Sequence, residues 1–87
     1  MSTKRSNGYL TLRIRTQIGT WRIGGVEEDD TIEKILSKVC LEHHAELLPG
    51  KPISRDANGT EVIKLTDTIC GLGFQNGDMI FATINEG

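Results

Sequence analysis

The chain of 87 residues has only two cysteines, two prolines, one tryptophan, one tyrosine and two phenylalanines. It also lacks a basic excess and a long apolar run. Each shortage removes a class of protein. Two thiols, Cys40 and Cys70, cannot build a disulfide framework. Both fall in apolar stretches where a free thiol behaves as a small hydrophobe, which points to a reducing compartment, cytoplasmic or nuclear. Ten Lys and Arg against twelve Asp and Glu give a formal charge of -2, so the surplus needed to neutralise phosphates is missing and no nucleic-acid partner is expected. No stretch approaches the roughly 20 apolar residues of a membrane span, and the polar N-terminus has no signal-like apolar region. A chain this short buries one modest core and leaves little room for a catalytic cleft. No Ser, His and acid arrangement and no phosphate-cradling glycine loop stands in it. No enzyme and no cofactor are expected.

What is present is a strand, a tight turn, a second strand and then a capped helix. Leu10, Leu12 and Ile14 alternate with Thr11, Arg13 and Arg15, the period of a strand with one face buried. After a turn around Gln17 to Thr20 the second strand runs to Val26. Gly24 and Gly25 predict a bulge that lets Trp21, Ile23 and Val26 all face the core. Asp30 or Thr31 is expected to cap the helix, with Glu33 completing a capping box from Asp30. Ile32, Ile35, Leu36, Val39, Cys40 and His43 form its apolar stripe, and it is expected to end near His44 or Ala45, before Pro49 and Gly50. Short strands are expected at Lys51 to Arg55 and Glu61 to Leu65, with an Asx and glycine turn between them. A loop or single helical turn, Thr66 to Gly73, precedes a last strand from Asp78 to Ile84. Residues 1–8 read as a disordered tail and residues 9–87 as one domain. Basic Arg13, Arg15 and Arg22 followed by acidic Glu27 to Asp30 predict a basic side and an acidic side.

The run from Leu10 to Ile35, with Gly19 at the first turn and Asp30, Thr31, Ile32 and Glu33 opening the helix, resembles ubiquitin. The implied fold is α+β, a ubiquitin-like β-grasp with a mixed four- to five-stranded sheet packed on one main helix. The closing segment narrows the resemblance. Leu65 to Phe81, with Thr68, Ile69, Leu72, Gly73, Phe74, Gly77 and Asp78 ahead of a strand, is similar to the end of ubiquitin-like domains in the nuclear protein localization-four family. That resemblance implies a protein-interaction domain that docks a cofactor onto an AAA ATPase segregase in ubiquitin-dependent protein extraction and degradation. The implied partner is the N-terminal domain of that ATPase, with the isolated domain monomeric. The chain lacks a terminal glycine pair and places Gln17, Ser54 and Thr83 where ubiquitin carries its apolar binding patch. The alternative is a ubiquitin-like modifier or sulfur carrier whose glycine pair is missing from this sequence.

Adjacent first and last strands would place Arg13, Arg15, Met79, Phe81 and Thr83 on one outer face. Arginine and aromatic groups are the usual anchors of interfaces. A related docking family carries a phenylalanine-proline-arginine loop between strands three and four, and here that region reads Ser54, Arg55, Asp56 and Ala57. The expected partner-binding set is therefore Arg13, Arg15, Ser54, Arg55, Met79, Phe81 and Thr83. Cys40, His43 and His44 fall short of a structural zinc site, because paired cysteines are missing and the helix needs Cys40 for its core. Asp56, Asn58 and Glu61 lack the glycine and glutamate placement of a calcium loop and read as a turn.

Overall fold

In a computed structural model describing residues 9–85, the alternating segment forms β1 (Tyr9–Thr16), its even-numbered side chains buried and its odd-numbered ones exposed. The expected tail at 1–8 lies outside the described residues. Gln17 and Ile18 turn the chain into β2 (Gly19–Glu27), which pairs antiparallel with β1. The Thr16 hydroxyl organises that turn, accepting from Ile18 N at 3.2 Å and donating to Gly19 O at 3.0 Å.

The glycine pair is a bulge. Leu10 pairs with Val26 and Leu12 with Ile23, leaving Thr11 opposite Gly24 and Gly25. Gly25 supplies φ +68, where a side chain would be strained. Ile23 and Val26 are thereby both buried. Trp21 packs against the core as expected, but from its edge. It faces the same side as Ile23 but is only half-buried, at the open end of β2. Its cover is the His43 ring, stacked at 4.0 Å and nearly parallel. His43 is accordingly exposed on one side rather than part of the apolar stripe.

Helix α1 (Ile32–Glu42) starts on Thr31, whose Oγ1 accepts from Lys34 N at 3.2 Å. Asp30 is not the cap. Its carboxylate instead closes the preceding turn, accepting from Glu27 N at 2.9 Å and pairing with Lys34 Nζ at 3.0 Å. Glu33 stands two residues after the true cap, so the expected capping box does not form. The other free amides of the first turn are met from elsewhere: Ile32 N by Asp67 O and Glu33 N by Leu65 O, each at 2.9 Å. The helix stops slightly earlier than expected because His43 leaves helical geometry as the C-cap and His44 takes φ +54.

Three short strands follow: β3 (Glu46–Leu47), β4 (Ile53–Ser54) and β5 (Val62–Ile63). The last strand expected from Asp78 to Ile84 is divided into β6 (Met79–Phe81) and β7 (Ile84–Asn85). The burial alternation of Ile80, Ala82 and Ile84 survives the break, which comes where the chain changes partner. β6 runs parallel to β1, whereas β7 pairs with β3. The main sheet has the order β2-β1-β6-β4-β5. Its inner face packs on Ile32, Ile35, Leu36 and Val39 of the helix.

Between β5 and β6 the chain folds as turns around a fully buried Ile69. Ile69 N donates to Asp30 O at 3.0 Å and Cys70 N to Glu28 O at 2.7 Å, tying this loop to the acidic turn. Cys70 itself is exposed, contrary to the apolar setting expected of it. Ile69 takes the core position, and the next side chain must point away.

Candidate functional site

The sheet order brings the expected residues together. Arg13 is the register partner of Met79, Arg15 of Phe81, and Ser54 of Phe81 from the other side. β2 adds Arg22 opposite Arg13. The outer face of β1 and β2 therefore displays three exposed arginines. Like charges across a strand pair repel, so this spacing weakens the sheet slightly and suits an acidic partner.

Arg13 is partly committed: Nε and Nη2 donate to Gly77 O at 3.1 and 2.9 Å, holding the turn before β6. Among the described residues Arg15 has no such tether, and it borders an open groove of about 660 Å³, with Phe81, Thr83, Ser54, Pro52 and Asn58 around it. Ser54 is the floor rather than a contact surface. It is 4% exposed, and its hydroxyl donates to Asp56 O at 2.7 Å. Met79 and Phe81 are half-buried.

Arg55 points elsewhere. Its guanidinium lies 4.2 Å over the Phe74 ring, donates through Nη1 to Leu72 O, and brings Nη2 to 3.6 Å from Asp78. The side chain is spent on tying the strand-four region to the loop before β6. The expected set thus separates into a groove group, Arg15, Phe81, Thr83 and Ser54, an adjoining pair, Arg13 and Met79, and Arg55, whose side chain turns to Phe74 and Asp78.

The groove's rim is built by groups whose tasks were not visible in the strand pattern. Gln17 braces β7 with both ends of its amide, donating to Ile84 O at 2.5 Å and accepting from Ile84 N at 3.1 Å. Asp56 organises the other lip, accepting from Thr60 Oγ1 at 2.6 Å, Glu61 N at 2.9 Å and Thr60 N at 3.2 Å. The Thr60 hydroxyl first, then the Glu61 amide, hold the Asp56 carboxyl below its usual range. An Asx residue followed by a glycine at Gly59 was the available signal for this rigid loop. Among the described residues no group of three His, Cys, Asp or Glu could hold a metal ion, and no helix is long and apolar enough to cross a membrane.

Solved structures share this architecture. A Caldiarchaeum subterraneum ubiquitin matches with a TM-score of 0.70 at 21% identity, covering 92% of this chain and 98% of its own. A protein whose molecular mimicry of SUMO promotes DNA repair matches at 0.71 and 15%, covering 90% and 94%. The fold is the ubiquitin-like β-grasp. At such identities the likeness shows the fold alone. The sequence relation is more specific: the ubiquitin-like domain is 36% identical over 80 residues, 85% of its length, to nuclear protein localization protein 4 of Scheffersomyces stipitis. The resemblance read from the closing segment therefore holds. The chain spans only 13% of that relative's length. No family model matches the chain.

Proposed function

We propose that this ubiquitin-like domain is a protein-docking module that joins a cofactor to the N-terminal domain of an AAA ATPase segregase in ubiquitin-dependent extraction and degradation, in the cytoplasm or nucleus. The observation that carries the reading is the 36% identity to nuclear protein localization protein 4. The outer sheet face supports it physically. Phe81 offers apolar surface beside the untethered Arg15 and the groove floored by Ser54, while Arg13 and Met79 extend the contact and Thr83 closes one side. A planar guanidinium can bind a partner carboxylate through two parallel hydrogen bonds, and a half-buried aromatic supplies the anchor that a charged rim lacks. A reader of ubiquitin's apolar patch meets Gln17 engaged with Ile84 and a buried Ser54 instead. Arg55 contributes by tying β4, which carries Ser54, to the loop before β6.

Titration calorimetry against the isolated N-terminal domain of the ATPase tests this. Arg15→Glu combined with Phe81→Ala should remove an interface anchor and a charge pair, weakening binding by more than about 30-fold. Glu33→Ala on the helix should leave affinity unchanged. Wild-type affinity in the folded double variant would exclude the face.

A further inference from the structure

The main sheet leaves one long strand open. β2 lies at the edge of the order β2-β1-β6-β4-β5 and has nine residues, whereas β5 at the opposite edge has two. A free edge is a template for another strand, and folded proteins usually shorten or cover it. The hydrogen bonds of β1 show which groups the edge presents. Thr11 O, Arg13 N and Arg15 O are bonded toward β6, to Gly77 N at 2.7 Å, Asp78 O at 2.9 Å and Ala82 N at 2.9 Å. Odd-numbered residues of β1 therefore turn their backbone to β6, and even-numbered ones turn theirs to β2. Leu12 and Ile14 exchange bonds with their register partners Ile23 and Trp21, which leaves the N–H and C=O groups of Thr20 and Arg22 pointing out of the sheet edge. Among the described residues these groups have no hydrogen-bond partner, and both residues are exposed.

The side chains on the two faces select the occupant. A strand added at this edge directs its side chains alternately to the outer face and to the helix side. On the outer face Arg22 stands opposite Arg13, and Thr20 opposite Arg15. β1 carries no acidic residue and β2 only Glu27, which lies past the Gly24 and Gly25 bulge, opposite Tyr9. Arg13 is bonded to Gly77 O, but among the described residues no hydrogen bond or ion pair holds the Arg22 side chain. On the helix side stand half-buried Trp21 and buried Ile23. The bulge bends the strand beyond Ile23, so the straight run is Gly19 to Ile23.

We propose that the β2 edge binds an extended segment of a partner protein in which acidic residues alternate with apolar ones, added antiparallel beside Gly19 to Ile23. Antiparallel pairing is the stronger per residue. The acidic residues then lie directly opposite Thr20 and Arg22, exchanging both backbone bonds with each, while their carboxylates share the arginine face. The apolar residues fall beside Trp21 and Ile23. A second copy of this domain joined at β2 would instead continue the outer face with its own Arg22 and Arg13, like charge against like. The site is separate from the groove beside Phe81 and does not rest on the segregase reading.

The test is amide hydrogen exchange, read by nuclear magnetic resonance, on the domain titrated with a short synthetic peptide alternating glutamate and valine. At saturation the Thr20 and Arg22 amides should exchange about tenfold more slowly or better, while those of Trp21 and Ile23, already bonded to β1, should change little. A peptide with lysines for glutamates should not bind, and Arg22→Glu should weaken binding about tenfold or more. N-methylation of the glutamate amides should block binding, because those N–H groups point at β2, and N-methylation of the valine amides should not. Unslowed exchange at Thr20 and Arg22 at millimolar peptide, shifts centred on Phe81 and Thr83 instead, or wild-type binding by Arg22→Glu would each overturn the proposal. So would a block by methylated valine amides, the mark of a parallel strand, or slowing that follows domain concentration without peptide, the mark of β2 pairing with itself.

Discussion

Replacing Arg55 separates a structural arginine from a docking one. Three interactions meet at its guanidinium: a cation–π contact with Phe74, a charge-assisted hydrogen bond to Leu72 O, and an ion pair with Asp78. The stacking is worth about 0.5–1 kcal/mol at a partly exposed site. The hydrogen bond to a charged donor contributes about 1.5–3 kcal/mol. The ion pair, 29% and 38% exposed on its two sides, adds at most about 1 kcal/mol. Because the three share one group they do not add fully, and Arg55→Ala is expected to cost about 2–3 kcal/mol. Arg55→Lys should recover little, since an ammonium reproduces neither the planar stack nor the fork. Urea unfolding followed by the fluorescence of Trp21, the single tryptophan, reads this directly. A loss below about 0.5 kcal/mol for Arg55→Ala, within the range of ordinary surface changes, would refute the assignment.

The helix start makes a paired prediction: Thr31→Ala should cost about 0.5–2 kcal/mol in the same assay by losing the cap, and Asp30→Ala should be separately destabilising by opening the Glu27 turn and leaving Lys34 without its partner. Acid sensitivity follows from the carboxylates. Burial raises the Asp30 carboxyl, but the Glu27 amide and Lys34 together outweigh it and hold it below its ordinary value, as the Thr60 hydroxyl and Glu61 amide do for Asp56. Groups depressed on folding stabilise above their unfolded value and lose that contribution as pH falls through the folded one, so stability should drop below about pH 4. Asp30→Asn with Asp56→Asn should flatten that drop, as measured by melting temperature against pH.

The fold was legible because its largest elements obey simple periods. β1 alternates without interruption, the glycine pair marks its bulge, and α1 keeps a clean apolar stripe through Cys40. What escaped depended on partners distant in sequence. Thr31 and Asp30 were equally good caps on paper, and the choice was made by Glu27 and Lys34, which occupy Asp30. β3 is two residues long and exists because Ile84 and Asn85 arrive beside it. Of the candidate face, Arg13, Arg15, Met79 and Phe81 were placed by the strand adjacency that the β-grasp resemblance implies, with alternation setting the face they share. Arg55 was not, since nothing local shows that a guanidinium will reach Phe74, 19 positions on, to Leu72 and Asp78.

The proposed docking surface is the outer sheet face beside Phe81. Cross-saturation transfer from the ATPase N-terminal domain to the isotopically labelled ubiquitin-like domain reads that contact residue by residue. Amide signals of Arg15, Asn58, Phe81 and Thr83 should lose intensity together, while those of Ser37 and Leu41 on the far side keep theirs. Loss confined to the helix side, with the Arg15 and Phe81 signals untouched, would contradict the account.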